Sequence, residues 1–346
     1  MQAAVFCGPG RIEVRSDVAR PEPGADEVLV RVEMCGICGS DMHLYRTNAH
    51  RGPGLLRVTA EGYEIPGHEY SGVIERVGAR VTGWQAGDRV VGVTGGGAFA
   101  EWVPVPVNPW QLVRIPAGVS FDEAATTEPL ADALQMVRLA QVAPGENVVV
   151  FGVGIIGLGV IQTLRALDVP VGQILAIDVS AARLDMALEV GASHAVNPRD
   201  ADVVDVAGNA CGRVATIFPP MNPPDIAVVF DCAGYLKHMQ GPPPLQTALD
   251  LLRPTGGRVI CFGAYEGHVT LDLTCLIEKQ VRIIGSMGYA PEELGQALEL
   301  MASGKIDRRK LISSRFRLSQ ISEAFATQGD GRAIKVLVTP QGDAEL

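Results

Sequence analysis

The sequence predicts an α/β protein of two domains, a β-rich unit followed by a doubly wound parallel sheet. Three observations carry that expectation. The chain has 346 residues, more than one hydrophobic core ordinarily serves. Its first 120 residues read as short strands punctuated by Gly, Pro and Asp. Beyond residue 130 or so, short apolar strands alternate with helical stretches, the pattern of a parallel sheet covered on both faces.

Taken in order, the early strands are VLVRVEM (28–34), YSGVIERVG (70–78), DRVVGV (88–93) and FAEWVPVP (99–106). NVVVFG (147–152) then precedes a helical run to residue 167, and QILAIDV (173–179) precedes another over 181–190. DIAVVFDCAG (225–234), GGRVICFG (256–263) and VRIIGSMG (281–288) follow as buried strands. The last 55 residues return to mixed elements and end in the strand AIKVLVT (333–339). Two proline-rich patches, FPPMNPPD (218–225) and GPPP (241–244), read as surface loops of the second domain.

Composition narrows the function classes. Hydrophobic residues make up 47% and charged residues 20%, as in ordinary folded domains. A net charge of -10 with no Lys or Arg run gives no electrostatic footprint for nucleic acid. No apolar run approaches the roughly 20 residues that span a bilayer, so no membrane partner is expected. The first residues, MQAAVFCGPGRIEV, lack the charged and apolar regions of a secretory leader. Seven scattered cysteines, an odd number, argue for a reducing compartment, and a cytoplasmic location is expected.

VVVFGVGIIGLG sets Gly152, Gly154 and Gly157 in G-x-G-x-x-G spacing, directly after an apolar strand and at the start of a helical run. That context gives the spacing its meaning. The glycines allow a tight turn, close approach of a pyrophosphate and close helix packing, while N–H groups from Ile155 and Ile156 onward face the phosphates. Asp178 ends the next strand, 21 residues after Gly157, where a carboxylate accepts from both ribose hydroxyls and repels a 2′-phosphate. NAD is therefore expected rather than NADP. The alternative for this segment is a plain strand-to-helix turn with a capping Asp or Ser. Arg183 lines the adenosine or lies solvated, and the strand end at Cys232 and Gly234 completes the expected cofactor set.

CGICGSDMHLY (35–45) holds two cysteines, a serine, an aspartate and a histidine. A closed structural zinc site would need two further close ligands, and a redox dithiol would sit at a helix start in a βαβ unit. Neither fits well. Thirty residues on, IPGHEYSG places His68 beside Glu69 after a Pro-Gly turn. A thiolate from Cys38, an imidazole and a carboxylate suit Zn²⁺ with one position left open. Taken alone, His68 reads as a turn or core histidine.

Together, GICGSDMHLY, PGHEYSGVIERVGARVTGWQAGDRVVG, TEPLADAL and VVVFGVGIIGLG resemble the zinc-dependent medium-chain dehydrogenases, nearest the sorbitol or polyol branch, in order over essentially the whole chain. The resemblance implies a GroES-like catalytic domain (1–130), a Rossmann domain (131–287) and a C-terminal return to the first (288–346). It implies Cys38, His68 and Glu69 as ligands of one catalytic zinc, and Glu128 as a carboxylate bound to it directly or through water. Cys35 matches a position that is not a ligand. Glu128 also has an independent reading, as a negative charge beside Pro129 at a helix start. Family members with a structural zinc carry four cysteines soon after GDRV. Here no cysteine stands between Cys38 and Cys211, so one zinc per subunit is expected. A homodimer or homotetramer is the implied assembly.

The expected activity is hydride transfer between NAD and a secondary alcohol, a polyol, cyclitol or sugar, with Glu69 at the metal. Ser40 starts a proton relay that His43 continues toward solvent. Their bland readings are a turn serine and a packing or phosphate-contacting histidine. Arg46, His50, Arg51 and Arg57 in YRTNAHRGPGLLR (45–57) either meet an anionic group or lie on a solvated loop. A threonine-type dehydrogenase stays open as the alternative. A zinc-free NADPH quinone or enoyl reductase conflicts with the ligand set and with Asp178, and a non-enzymatic dinucleotide binder conflicts with an intact ligand set.

Overall fold

The computed structural model describes residues 1–48, 55–167, 170–217, 220–236, 239 and 241–341. The chain divides into two units, Met1–Ala131 with Ala290–Leu346, and Asp132–Tyr289.

In the first unit the spine is Glu27–Gly36, whose run of Val and Leu suits a pleated, buried surface. It pairs antiparallel with Glu69–Val77, Trp102–Pro106 and Lys335–Thr339. Arg89–Val93 and Val113–Arg114 extend the sheet on one side, and Ile312–Arg317 extends it on the other. Register shifts between Leu29 and Val30 and between Val32 and Met34 are bulges that bend the spine. Residues 94–101 link Arg89–Val93 to Trp102–Pro106 and are tied to the turn before Glu69. Thr94 N–H donates to the His68 carbonyl at 2.9 Å, and Ala98 N–H to that of Gly67 at 2.9 Å.

The second unit holds a six-stranded, all-parallel sheet. Its order is His194–Val196, Ile174–Ile177, Val148–Phe151, Val228–Asp231, Arg258–Cys261, Arg282–Gly285. This is the doubly wound order that reverses between the first and fourth strands, where such sheets bind dinucleotides. Val148–Phe151 is buried along its whole length, as expected of a strand covered on both faces. The proline patches depart from the loop expectation. Pro220–Met221 pairs with Thr216–Ile217 as a short hairpin. Pro243 and Pro244 open the helix Pro244–Leu251, because a proline's fixed φ suits the first helical position. Among the described residues no helix is long and apolar enough to cross a membrane.

One buried ion cluster pins this unit. Arg258 donates to Glu146 at 2.6 Å and to the Gln141 carbonyl at 2.9 Å, and Arg253 reaches Glu146 at 3.0 Å. Burial raises the Glu146 carboxyl, but the Arg258 hydrogen bond, the Ala143 N–H and the charges of Arg258 and Arg253 together outweigh it and hold the group below its ordinary value. Glu146→Gln should therefore destabilise the protein by about 3 kcal/mol, the cost of stranding a buried cation. Because the native group is the stronger acid, this contribution is present above the unfolded value and lost as pH falls through the folded one. Thermal melts at pH 7 and pH 3 should show a smaller wild-type advantage at pH 3 than at pH 7.

Candidate metal centre and cofactor site

Cys38 lies just past the end of the Glu27–Gly36 spine, as the N-cap of the helix Gly39–Thr47. The Asp41 carboxylate accepts the Cys38 N–H at 3.0 Å, which fixes the first turn of that helix. Glu69 begins its strand opposite Gly36 on one side and Val93 on the other. The strand pairing thus carries Glu69 to the level of Gly36, two residues before Cys38. His68 precedes it in the Pro66-Gly67 turn held by the 94–99 segment. Local irregularity lets two successive side chains converge.

The ligand atoms of Cys38, His68 and Glu69 all lie within 4.8 Å of one another. His68 and Glu69 are almost fully buried, and Cys38 is partly buried. The His68 Nδ1 and the Glu69 Oε1 are enclosed without a hydrogen-bond partner among the described residues. Burial, then Glu69 and Glu128, push the Cys38 thiol well up from its usual range. A soft anion-forming sulfur, an imidazole and a carboxylate enclosed together, with polar atoms unspent, fit a divalent cation such as zinc. Asp41 Oδ1 stands 3.8 Å from His68 Nδ1, beyond hydrogen-bond range.

Glu128, in the first turn of the helix Thr127–Ala140, falls outside this tight set, although its charge is felt at Cys38 and at Lys335. Cys35 is buried in the spine and also falls outside the set. Ser40 and His43 sit three residues apart on Gly39–Thr47, both partly buried, so they share a helix face. Arg46 donates to the Gly329 carbonyl at 2.8 Å. Burial lowers the Arg57 guanidinium, whose Nη1 lies 3.4 Å from the Pro104 carbonyl. His50 and Arg51 lie outside the described residues.

In the parallel-sheet unit, Gly152 ends the first strand with φ +78°, and a Cβ there would stand 2.8 Å from the Ala233 nitrogen. A Cβ at Gly157 would strike the Gly152 carbonyl. Gly154 caps the helix Ile155–Ala166, so the free N–H groups of its first turn, beginning at Ile155 and Ile156, open at the sheet's switch point. Arg183 Nη1 lies 4.0 Å from where a Cβ on Gly154 would be. Asp178 accepts from Val153 N–H and Ser180 N–H, each at 2.9 Å, so it also ties the glycine turn to the next helix.

Sequence reasoning missed Asp231 and Tyr265. Asp231 accepts from Ala233 N–H at 3.1 Å, Gly234 N–H at 2.9 Å and the Tyr265 hydroxyl at 2.8 Å. It thereby holds the turn that carries Cys232 and Gly234. Only its position at a strand end hinted at this role. Lys335 was missed as well. It is fully buried and ion-paired to Glu69, and nothing in its local sequence marks it.

The family model described as "Alcohol dehydrogenase GroES-like domain" matches residues 24–117, and that described as "Zinc-binding dehydrogenase" matches residues 156–303. The chain is 32% identical to L-idonate 5-dehydrogenase of Vitis vinifera, over 92% of this chain and 89% of that one. It is 33% identical to a sorbitol dehydrogenase of Arabidopsis thaliana over the same shares. Its fold matches the crystal structure of 2R,3R-butanediol dehydrogenase from Bacillus subtilis with a TM-score of 0.81 and 27% identity, over 98% of this chain and 99% of that one. The described sheet order, the glycine turn and the clustered Cys38, His68 and Glu69 accord with these likenesses, and the chain belongs to the zinc-binding alcohol dehydrogenase superfamily, on its sorbitol and polyol dehydrogenase branch.

Proposed function

We propose that this chain is a zinc-dependent, NAD-linked dehydrogenase of a polyhydroxylated secondary alcohol, a polyol, cyclitol or sugar. We place it in the cytoplasm as a homodimer or homotetramer with one zinc per subunit. The observation that carries the reading is the convergence of Cys38, His68 and Glu69 within 4.8 Å in a chain that also has the dinucleotide turn. The names of its relatives support the substrate class, since they act on sugar acids and sugar alcohols.

Cys38, His68 and Glu69 would hold a zinc ion, which would supply a Lewis acid to acidify the alcohol O–H, and NAD would supply the hydride acceptor. The rest is the work of the chain's own groups. Ser40 accepts the alcohol proton and donates its own toward His43, one helical turn on, which passes it to solvent. Glu128, at the start of its helix, adds negative charge beside Cys38 and takes part through water. Gly152, Gly154, Ile155, Ile156 and Gly157 present the backbone to the pyrophosphate, and Cys232 and Gly234 border the same crevice. The Asp178 carboxylate, anchored by two backbone N–H groups, takes the ribose hydroxyls and disfavours a 2′-phosphate. Arg183 flanks the adenosine.

A panel of polyols, cyclitols, sugars and amino alcohols, assayed by formation of reduced cofactor, tests this directly. NAD⁺ should support turnover of at least one polyol at least tenfold better than NADP⁺, and a chelator should abolish it. Turnover of threonine with a flat response to every polyol would reassign the substrate, and activity indifferent to the chelator would remove the zinc.

A further inference from the structure

Strand Lys335–Thr339 is buried at every position, between Ile312–Arg317 and the Glu27–Gly36 spine. Leu337 pairs with Gly36 and Val338 with Cys35, which brings the start of this strand to the metal-centre end of the sheet. Lys335 is 0% exposed, donates to the Ile37 carbonyl at 3.1 Å and pairs with the Glu69 carboxylate. Gly36 makes room for that pair. A Cβ there would stand 2.6 Å from Lys335 Cε and would collide with the Glu69 carboxylate. A second cation, Arg308, is also 0% exposed. Its Nε donates to Thr126 Oγ1 at 3.3 Å; burial lowers its guanidinium to about 9, with Glu69 opposing that shift.

Two buried cations are costly unless anions face them. Four acidic groups do so here: Glu69 in contact with Lys335, and Cys38, Asp41 and Glu128 around it. Lys335 engages the same carboxylate that a divalent cation needs, and its fixed charge repels the ion.

We propose that Lys335 is a built-in counterweight on Glu69 that holds down the affinity of the Cys38, His68 and Glu69 set for divalent metal. The inference rests on the reading of that set as a metal centre. It makes Lys335 a positioning residue, acting through Glu69, with the tight fit at Gly36 keeping ammonium and carboxylate in register.

The experiment measures dissociation constants of full-length protein for Zn²⁺ and Co²⁺ by competition with a chromophoric chelator. Lys335→Met should bind both ions at least tenfold more tightly than wild type, a change of about 1.4 kcal/mol. Its melting temperature before metal addition should fall, and saturating Zn²⁺ should raise it by more than it raises that of the wild type. Should Lys335→Met not fold, Lys335→Gln removes the charge while keeping a donor for the Ile37 carbonyl, and it should show the same tightening. Unchanged or weaker metal binding in the variant that folds, with wild type taking up one ion, overturns the counterweight alone. A wild type that takes up no metal overturns the metal-centre reading and this inference with it.

Discussion

Cys38→Ser is expected to lower alcohol turnover at least a thousandfold and to strip the protein of zinc during dialysis, while leaving it folded. The sulfur is the only soft donor in the candidate set. A serine hydroxyl stays protonated near neutral pH and offers the metal neither charge nor polarisability. The fold should hold because Cys38 is a helix N-cap, and serine is among the preferred residues there. The capping bond from Cys38 N–H to Asp41 uses the backbone and is unaffected. Bound zinc by elemental analysis, a circular-dichroism melt and NADH titration check the three parts. Zinc retention together with turnover in Cys38→Ser would show that the cluster is not the metal centre.

Gly152→Val should weaken NAD binding roughly a hundredfold, about 2.7 kcal/mol, and leave zinc content at the wild-type level. At φ +78° a β-branched residue is strained, by on the order of 1–3 kcal/mol. Its Cβ would also stand 2.8 Å from the Ala233 nitrogen, a backbone atom that cannot swing away as a side chain could. Either the turn at the first strand moves or the turn at the fourth does, and both border the crevice where the pyrophosphate is expected. Fluorescence titration with NADH reads the affinity. A wild-type constant would mean that the turn tolerates a side chain and that the cradle is elsewhere.

What the sequence revealed follows the range of the forces involved. The strand after residue 147, the helix after Gly154 and the strand ending before Asp178 are set by apolar runs and glycines a few residues apart, and each is found within a residue or two of its expected bounds. Cys38, His68 and Glu69 stood out in the sequence because a thiol, an imidazole and a carboxylate each come from few residue types, and the structure brings these three together. GPPP misled because proline breaks helices in their interior but starts them well. Lys335 stayed hidden because a single lysine in the apolar run AIKVLVT carries no mark of its own burial, and its partner is Glu69, far off in sequence. Asp231 hid in the same way, since its three donors belong to turns and a tyrosine that only the sheet brings together. Asp178 was legible as a charge at a strand end. That it also pins Val153 was not, because a backbone N–H leaves no mark on residue type.

The β-rich unit is discontinuous in the chain, and this sets the order in which a ribosome can deliver its parts. Strand Lys335–Thr339, an interior member of the first unit's sheet, is synthesised after the whole of Asp132–Tyr289. The unit encoded in the middle can therefore close on the nascent chain first, while the Cys35–Gly36 end of the spine, beyond the stretch that Trp102–Pro106 covers, waits for its partner strand. Exposed strand edges of that kind invite mispairing, so translation past residue 339 is the step that retires the hazard.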